Sequence, residues 1–233
     1  FHPEVVHTEK GTEILKNFVL KVCNANQGWT MEKFVENSVE NISKVEGNVL
    51  CGVSGGIDST VTALLIHKAI GNRLKCVFVD NGLLRLNEAE EVENMFKDNF
   101  KVNFTKIDGQ QQFLSKLNGV IDPEEKRKII GEEFVNVFTK FSKENEPFTW
   151  LAQGTLYPDV IESGVSKGPA SIIKTHHNVG GLPDWLHLKV LEPLRDLYKD
   201  EVRKVAKIIG VPQNLLIRHP FPGPGLAVRI IGE

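Results

Sequence analysis

Ser54-Gly55-Gly56-Ile57-Asp58-Ser59-Thr60 is the stretch of this chain whose residue types and spacing could do chemistry. It follows an apolar run, Asn48 to Val53, and precedes apolar positions at helical spacing (Val61, Leu64, Leu65). A strand, a Gly-Gly turn and a helix N-terminus together aim unpaired backbone N–H groups and a positive dipole end at one spot. The two glycines carry no Cβ to hold a phosphate off the backbone, and Ser54, Ser59 and Thr60 add hydroxyl donors. No lysine follows them, so this is not the G-x-x-x-x-G-K-S/T loop of kinases and GTPases. A carboxylate in a phosphate site repels its ligand unless a cation lies between them. Asp58 therefore reads as a Mg²⁺ ligand bridging to phosphate oxygens. The plain alternative is a strand-to-helix turn in which Asp58 or Ser59 only caps the helix.

The elements that position this loop follow from hydrophobic periodicity. Short apolar runs at 48–53, 74–79, 102–107 and 148–152 read as strands, and helical patterns fill 58–70, 87–98 and about 122–144. Such alternation predicts an α/β fold, a doubly wound parallel sheet with its ligand crevice at the carboxyl ends of the strands. Upstream, 12–23 (Ile14, Leu15, Phe18, Val19, Val22) and 30–45 have amphipathic helical spacing, with 24–28 as a linker. Downstream come a loop-rich stretch (157–187), a helix (199–209) and a Pro-Gly run, 220–225, that no regular helix accommodates.

Charge and composition narrow the function classes. In 233 residues, 28 Lys+Arg against 30 Asp+Glu leave a net charge of −2, with 41% hydrophobic residues. That balance argues against broad polyanion binding, hence against nucleic acid as partner, yet leaves room for a nucleotide met locally. No apolar run reaches the ~18 residues of a membrane helix. The start, Phe1-His2-Pro3-Glu4, lacks both a signal-peptide pattern and Met, which suggests a piece of something longer. Cys23, Cys51 and Cys76 are odd in number and show no metal spacing. Cys51 and Cys76 lie in apolar runs as small core residues, consistent with a reduced, cytoplasmic setting. His176-His177 invites a metal reading, but adjacent side chains point apart and no third ligand has matching spacing.

SGGxDS resembles the pyrophosphate-binding loop of the N-type ATP pyrophosphatases, which cleave ATP between its α and β phosphates and adenylate a substrate oxygen. Further strings narrow the resemblance: Val79-Asp80-Asn81-Gly82-Leu83-Leu84-Arg85, Asp122-Pro123-Glu124-Glu125-Lys126-Arg127-Lys128, Gln153-Gly154-Thr155, Thr175-His176-His177-Asn178 and His219-Pro220-Phe221-Pro222-Gly223-Pro224-Gly225. In this order they closely resemble the GMP synthetase family, almost end to end.

The resemblance implies an adenine nucleotide alpha hydrolase-like, Rossmann-like fold and an ATP- and Mg²⁺-dependent amination of XMP. ATP would bind at Ser54, Gly55, Gly56, Ile57, Asp58, Ser59 and Thr60, with Asp58 and Ser59 catalytic and Asp58 on the metal. Val79 and Phe134 match positions that pack adenine, though both equally suit a core. Arg127 matches a position associated with XMP, and Asp159 and Glu162 are further carboxylates near the metal. The stretch 121–131 (Asp122, Glu125, Lys128) matches a lid over the site. His2 and Glu4 resemble the end of a class I glutamine amidotransferase triad whose Cys lies outside this chain. The implied division is 1–27 as that domain's tail, 28–219 as the ATP pyrophosphatase domain, and 220–233 as the start of a C-terminal domain making a homodimer. Two alternatives are another SGGxDS-type synthetase, such as an NAD or argininosuccinate synthetase, and a nucleotide-binding module without turnover.

Overall fold

The computed structural model describes residues 1–145, 147–164, 188–217 and 223–232. Five strands form one fully parallel sheet: β1 (Asn48–Gly52), β2 (Leu74–Asp80), β3 (Phe104–Asp108), β4 (Phe148–Ala152) and β5 (Lys189–Leu191), in the order β3-β2-β1-β4-β5. The four expected strands are present. β5 is a three-residue addition too short for its own periodic signal.

Nine helices accompany the strands among the described residues: α1 (Gly11–Lys16), α2 (Met31–Ser43), α3 (Ile57–Ile70), α4 (Glu88–Asn94), α5 (Gln110–Leu117), α6 (Pro123–Glu144), α7 (Tyr157–Gly164), α8 (Lys199–Ile208) and α9 (Gln213–Leu216). Along β1 and β2, successive residues face one of two cores in turn, as the pleat requires. Val49, Cys51, Cys76 and Phe78 pack under α2, α3, α4 and α8 through Phe34, Val61, Leu65, Val92, Val202 and Val205. Leu50, Val77 and Val79 pack on the other face under α5 and α6 through Phe113, Ile130, Val137 and Phe141. Burial on both faces explains why β1 and β2 read as continuous apolar runs.

From β1 the chain winds outward through β2 to β3, then crosses back so that β4 pairs with the other side of β1. The loops leaving β1 and β4 therefore diverge around a topological switch point, where parallel sheets open a crevice.

One expectation is revised. The apolar face of 12–23 forms α1 and a π-helical turn (Asn17–Val22), but Ile14, Leu15, Phe18, Val19 and Val22 lie exposed and belong to neither core. The stretch 121–131 opens α6, in agreement with the helix expected at about 122–144. Asp122 Oδ1 caps it by accepting from Glu125 N–H (2.8 Å), and Pro123 stands in its first turn. Lys126 within that stretch is only 3% exposed. Its ammonium donates to the carbonyls of Ile230 (3.0 Å) and Gly232. The described part of the C-terminal run accordingly lies as a strap on this domain, with Leu226 N–H on the Leu83 carbonyl (2.8 Å) and Ala227 in the α5–α6 core.

Candidate nucleotide site

The loop 53–56 connects β1 to α3. Gly55 has φ +73°, the left-handed region where a side chain is strained, whereas Gly56 has φ −76° and ψ 157°, open to any residue. The conformational need for glycine thus falls on Gly55. At Gly56 a Cβ would approach Ser54 Oγ to 3.3 Å. Ser54 and Gly56 are exposed, so the loop's outer surface is open to a ligand.

Hydroxyl groups fix the loop from within. Ser59 Oγ accepts from Ser54 N–H (3.2 Å), shares a hydrogen bond with Ser54 Oγ (3.2 Å) and donates to the Gly56 carbonyl (3.1 Å). Thr60 Oγ1 donates to that same carbonyl (2.8 Å). The first helical backbone bond of α3 runs from Thr60 N–H to Gly56 O (3.1 Å). The N–H groups of Ile57, Asp58 and Ser59 therefore have no intrahelical acceptor and converge at the positive end of the helix dipole. Such an arrangement can receive an anionic, multiply charged group.

Asp58 carries the first turn's charge. Its Oδ2 accepts from Lys199 Nζ at the start of α8, while Oδ1 is buried without a hydrogen-bond partner. Sequence reading missed Lys199. Its only signal was a lysine opening a helix whose Val202, Val205 and Ala206 are buried, which turns that helix's start toward α3. Tyr157 N–H on the Leu197 carbonyl (3.1 Å) and the edge contact of the Tyr157 and Tyr198 rings (5.3 Å) bring the starts of α7 and α8 together. Mg²⁺ fits this donor set, because it commonly takes one protein carboxylate and completes its shell with ligand phosphates and water. Among the described residues no three His, Cys, Asp or Glu side chains gather as a metal site, so Asp58 would be its single carboxylate from that set.

The other expected residues fall in different places. Val79 is buried beneath α5 and α6, and Phe134 joins the same core, its ring edge-on to Phe113 at 4.9 Å. Arg127, half-buried on α6, pairs with Glu124 one turn earlier (2.5 Å). Asp159 Oδ2 accepts from Leu156 N–H (2.9 Å), a cap on α7. Ile57 packs against the first core. His2 Nδ1 and Glu4 Oε1 lie 3.0 Å apart on an exposed N-terminal turn. Expectations on Thr175–Asn178, on His219–Pro222 and on the Glu162 side chain lie outside the described residues.

A parallel sheet with a glycine-turn anion cradle at its switch point defines a Rossmann-type α/β domain built to receive an anionic ligand. Residues 29–135 match a family model described as NAD synthase. The fold resembles an NMN synthetase from Francisella tularensis (TM-score 0.60, 17% identity, 85% of this chain and 79% of that one). It likewise resembles an NH3-dependent NAD synthetase from Campylobacter jejuni (TM-score 0.60, 15% identity, 81% and 77%). By sequence the chain is 57% identical to a glutamine-hydrolysing GMP synthase of Haemophilus influenzae and 56% to one of Vibrio cholerae, over all of this chain and 45% and 46% of theirs. Over its whole length the chain is similar to these GMP synthases, and it spans about half the length of the curated relatives it matches.

Proposed function

We propose that this chain is the ATP-cleaving segment of a glutamine-hydrolysing GMP synthase. In this reading the outer phosphates of ATP lie on the 54–59 loop. The 2-oxygen of XMP attacks the α-phosphorus, the α–β bridge bond breaks, and pyrophosphate leaves. Ammonia then adds at the purine carbon that carries this oxygen, the carbon–oxygen bond breaks, and AMP departs with that oxygen as the nitrogen loses a proton to leave GMP. No side chain forms a covalent bond to the substrate.

The observation that carries this reading is the loop itself: a Gly55 turn at the sheet's switch point, backbone N–H groups aimed outward, and the Asp58–Lys199 pair beside them. Those N–H groups and the Lys199 ammonium meet charge that grows on the departing pyrophosphate, so they act most strongly where the barrier lies. Mg²⁺ held by Asp58, when bound, supplies further charge neutralisation on the phosphates. Val79, Phe134 and Arg127 are then the adenine and XMP neighbours that the family resemblance assigns. Ammonia comes from an amidotransferase domain whose end His2 and Glu4 mark, and the enzyme works as a homodimer in the cytoplasm. The match to the NAD synthase model supports the shared ATP-cleaving domain. The 56–57% identities favour XMP as the oxygen that is adenylated.

Pyrophosphate release from ATP by the full-length protein, with and without XMP, tests the reading. XMP-dependent release that disappears in a folded Asp58→Ala variant is expected. Release indifferent to XMP, or absent with every substrate present, would overturn it.

A further inference from the structure

We infer that Thr62 and Gln153 are positioning residues that hold the Asp58 carboxylate through its buried oxygen. The inference rests on the nucleotide reading of the same loop. Asp58 and Thr62 stand one turn apart on α3 and so share a face of that helix. The chain leaving β4 crosses this face at Gly154, where a Cβ would lie 3.3 Å from both the Asp58 carbonyl carbon and Thr62 Oγ1. The absence of a side chain there lets 153–155 close over the first turns of α3.

Three polar atoms of these segments are each buried and without a hydrogen-bond partner: Asp58 Oδ1 and Thr62 Oγ1 on the crossed helix, and Gln153 Nε2 on the crossing chain. Thr62 is completely buried. A helical threonine usually returns its hydroxyl to the carbonyl four residues back. Thr60 does so onto Gly56 (2.8 Å) and Thr139 onto Val135 (2.6 Å), but Thr62 does not. Buried polar groups are nearly always paired, so an unpaired set beside a functional residue points to a partner acquired in the working state.

The set is complementary, since the hydroxyl and the amide N–H groups are donors and the carboxylate oxygen is an acceptor. A single water shared by the three would find the two to four polar partners a buried water needs. So held, Oδ1 fixes the carboxylate plane and leaves Oδ2 directed at Lys199 and the ligand. Groups that orient a metal-binding side chain typically contribute about 10- to 100-fold to metal affinity.

The test uses the full-length protein with ATP and Mn²⁺ as the metal probe, read by electron paramagnetic resonance, alongside metal-free ATP binding and thermal melting. Thr62→Val keeps the shape and removes the donor, Thr62→Ser keeps the donor, and Gln153→Leu removes the amide. Thr62→Val and Gln153→Leu are expected to lower Mn²⁺ affinity in the ternary complex about tenfold. Metal-free ATP binding and the melting temperature should hold, and Thr62→Ser should restore the wild-type affinity. Wild-type Mn²⁺ affinity in folded Thr62→Val and Gln153→Leu would overturn the inference while leaving the nucleotide reading intact. A wild-type protein that binds neither ATP nor Mn²⁺·ATP would instead overturn the nucleotide reading and the inference with it.

Discussion

Lys199 and Asp58, 141 residues apart in the chain, meet across the carboxyl end of the sheet with the lysine ammonium on Asp58 Oδ2. Each side chain keeps part of its surface in water, 42% for Lys199 and 31% for Asp58, so solvent screens the pair. Its weight falls on function more than on folding.

Lys199→Met retains most of the stem and removes the charge. Screened pairs contribute about 1 kcal/mol or less, so the melting temperature should fall by no more than about 4 °C. ATP binding should weaken at least about tenfold, because an anionic ligand loses its nearby ammonium while the Asp58 charge is left uncovered. Calorimetric titration and a melting curve on one preparation check both statements, and an equal loss in each would mark the pair as structural.

The two loop glycines should respond differently. Gly55→Ala forces a Cβ into the left-handed region at a cost of about 1–2 kcal/mol, lowering the melting temperature by several degrees and displacing the N–H cradle. Gly56→Ala occupies an ordinary backbone region and meets only Ser54 Oγ, an exposed hydroxyl that can turn aside. Thermal melts of the two variants should therefore separate, with Gly56→Ala close to wild type.

Lys126 makes a contrasting prediction, about order in the strap. Its buried ammonium serves two carbonyls of the strap, and Lys126→Met leaves both without their donor. Hydrogen bonds from a charged donor contribute about 1.5–3 kcal/mol each. Amide exchange across 223–232 should accelerate markedly, with little change in the β1 and β2 amides. Uniform acceleration everywhere would show global destabilisation rather than a released strap.

The thiols give a check that depends on pH. Cys23 is exposed, while Cys51 and Cys76 face each other in register on β1 and β2 and are fully buried. Burial first, and then the neighbouring Cys51 thiol, push Cys76 well above its ordinary range. One thiol should react quickly with an aromatic disulfide at pH 8 and the other two only on unfolding. Above about pH 8.5 the unfolded Cys76 ionises while the native one holds its proton. Stability should therefore decline as pH rises through that value, since the native state then binds more protons. Cys76→Ala should flatten the alkaline slope of a denaturation series.

Much of the framework was legible in the residues, for physical reasons that also mark where legibility ended. β1 and β2 stand out because burial on both faces demands unbroken apolar runs, as in Cys76-Val77-Phe78-Val79. α5 did not stand out, because Gln110-Gln111-Gln112 is polar and Phe113 is its buried anchor. The charged string Glu124 to Lys128 has the composition of a solvated helix face, yet Lys126 is buried because strap carbonyls from 104 and 106 residues away receive it. Asp58 was identifiable from its motif. Lys199 was not, because only the docking of α8 on α3 turns two distant residues into neighbours.

The pairing of β1 with β4 joins Asn48 to Phe148, with two other strands and four helices threaded between. On a ribosome, β1, β2 and β3 can assemble long before β4 has been synthesised, but that sub-sheet offers an open edge where the crevice belongs. The cradle gains its second wall only when β4 closes on β1, and its ammonium later still, when Lys199 emerges. Competence for an anionic ligand therefore waits for Lys199 to emerge, after a slow long-range closure, and a growing chain shorter than that has no finished cradle.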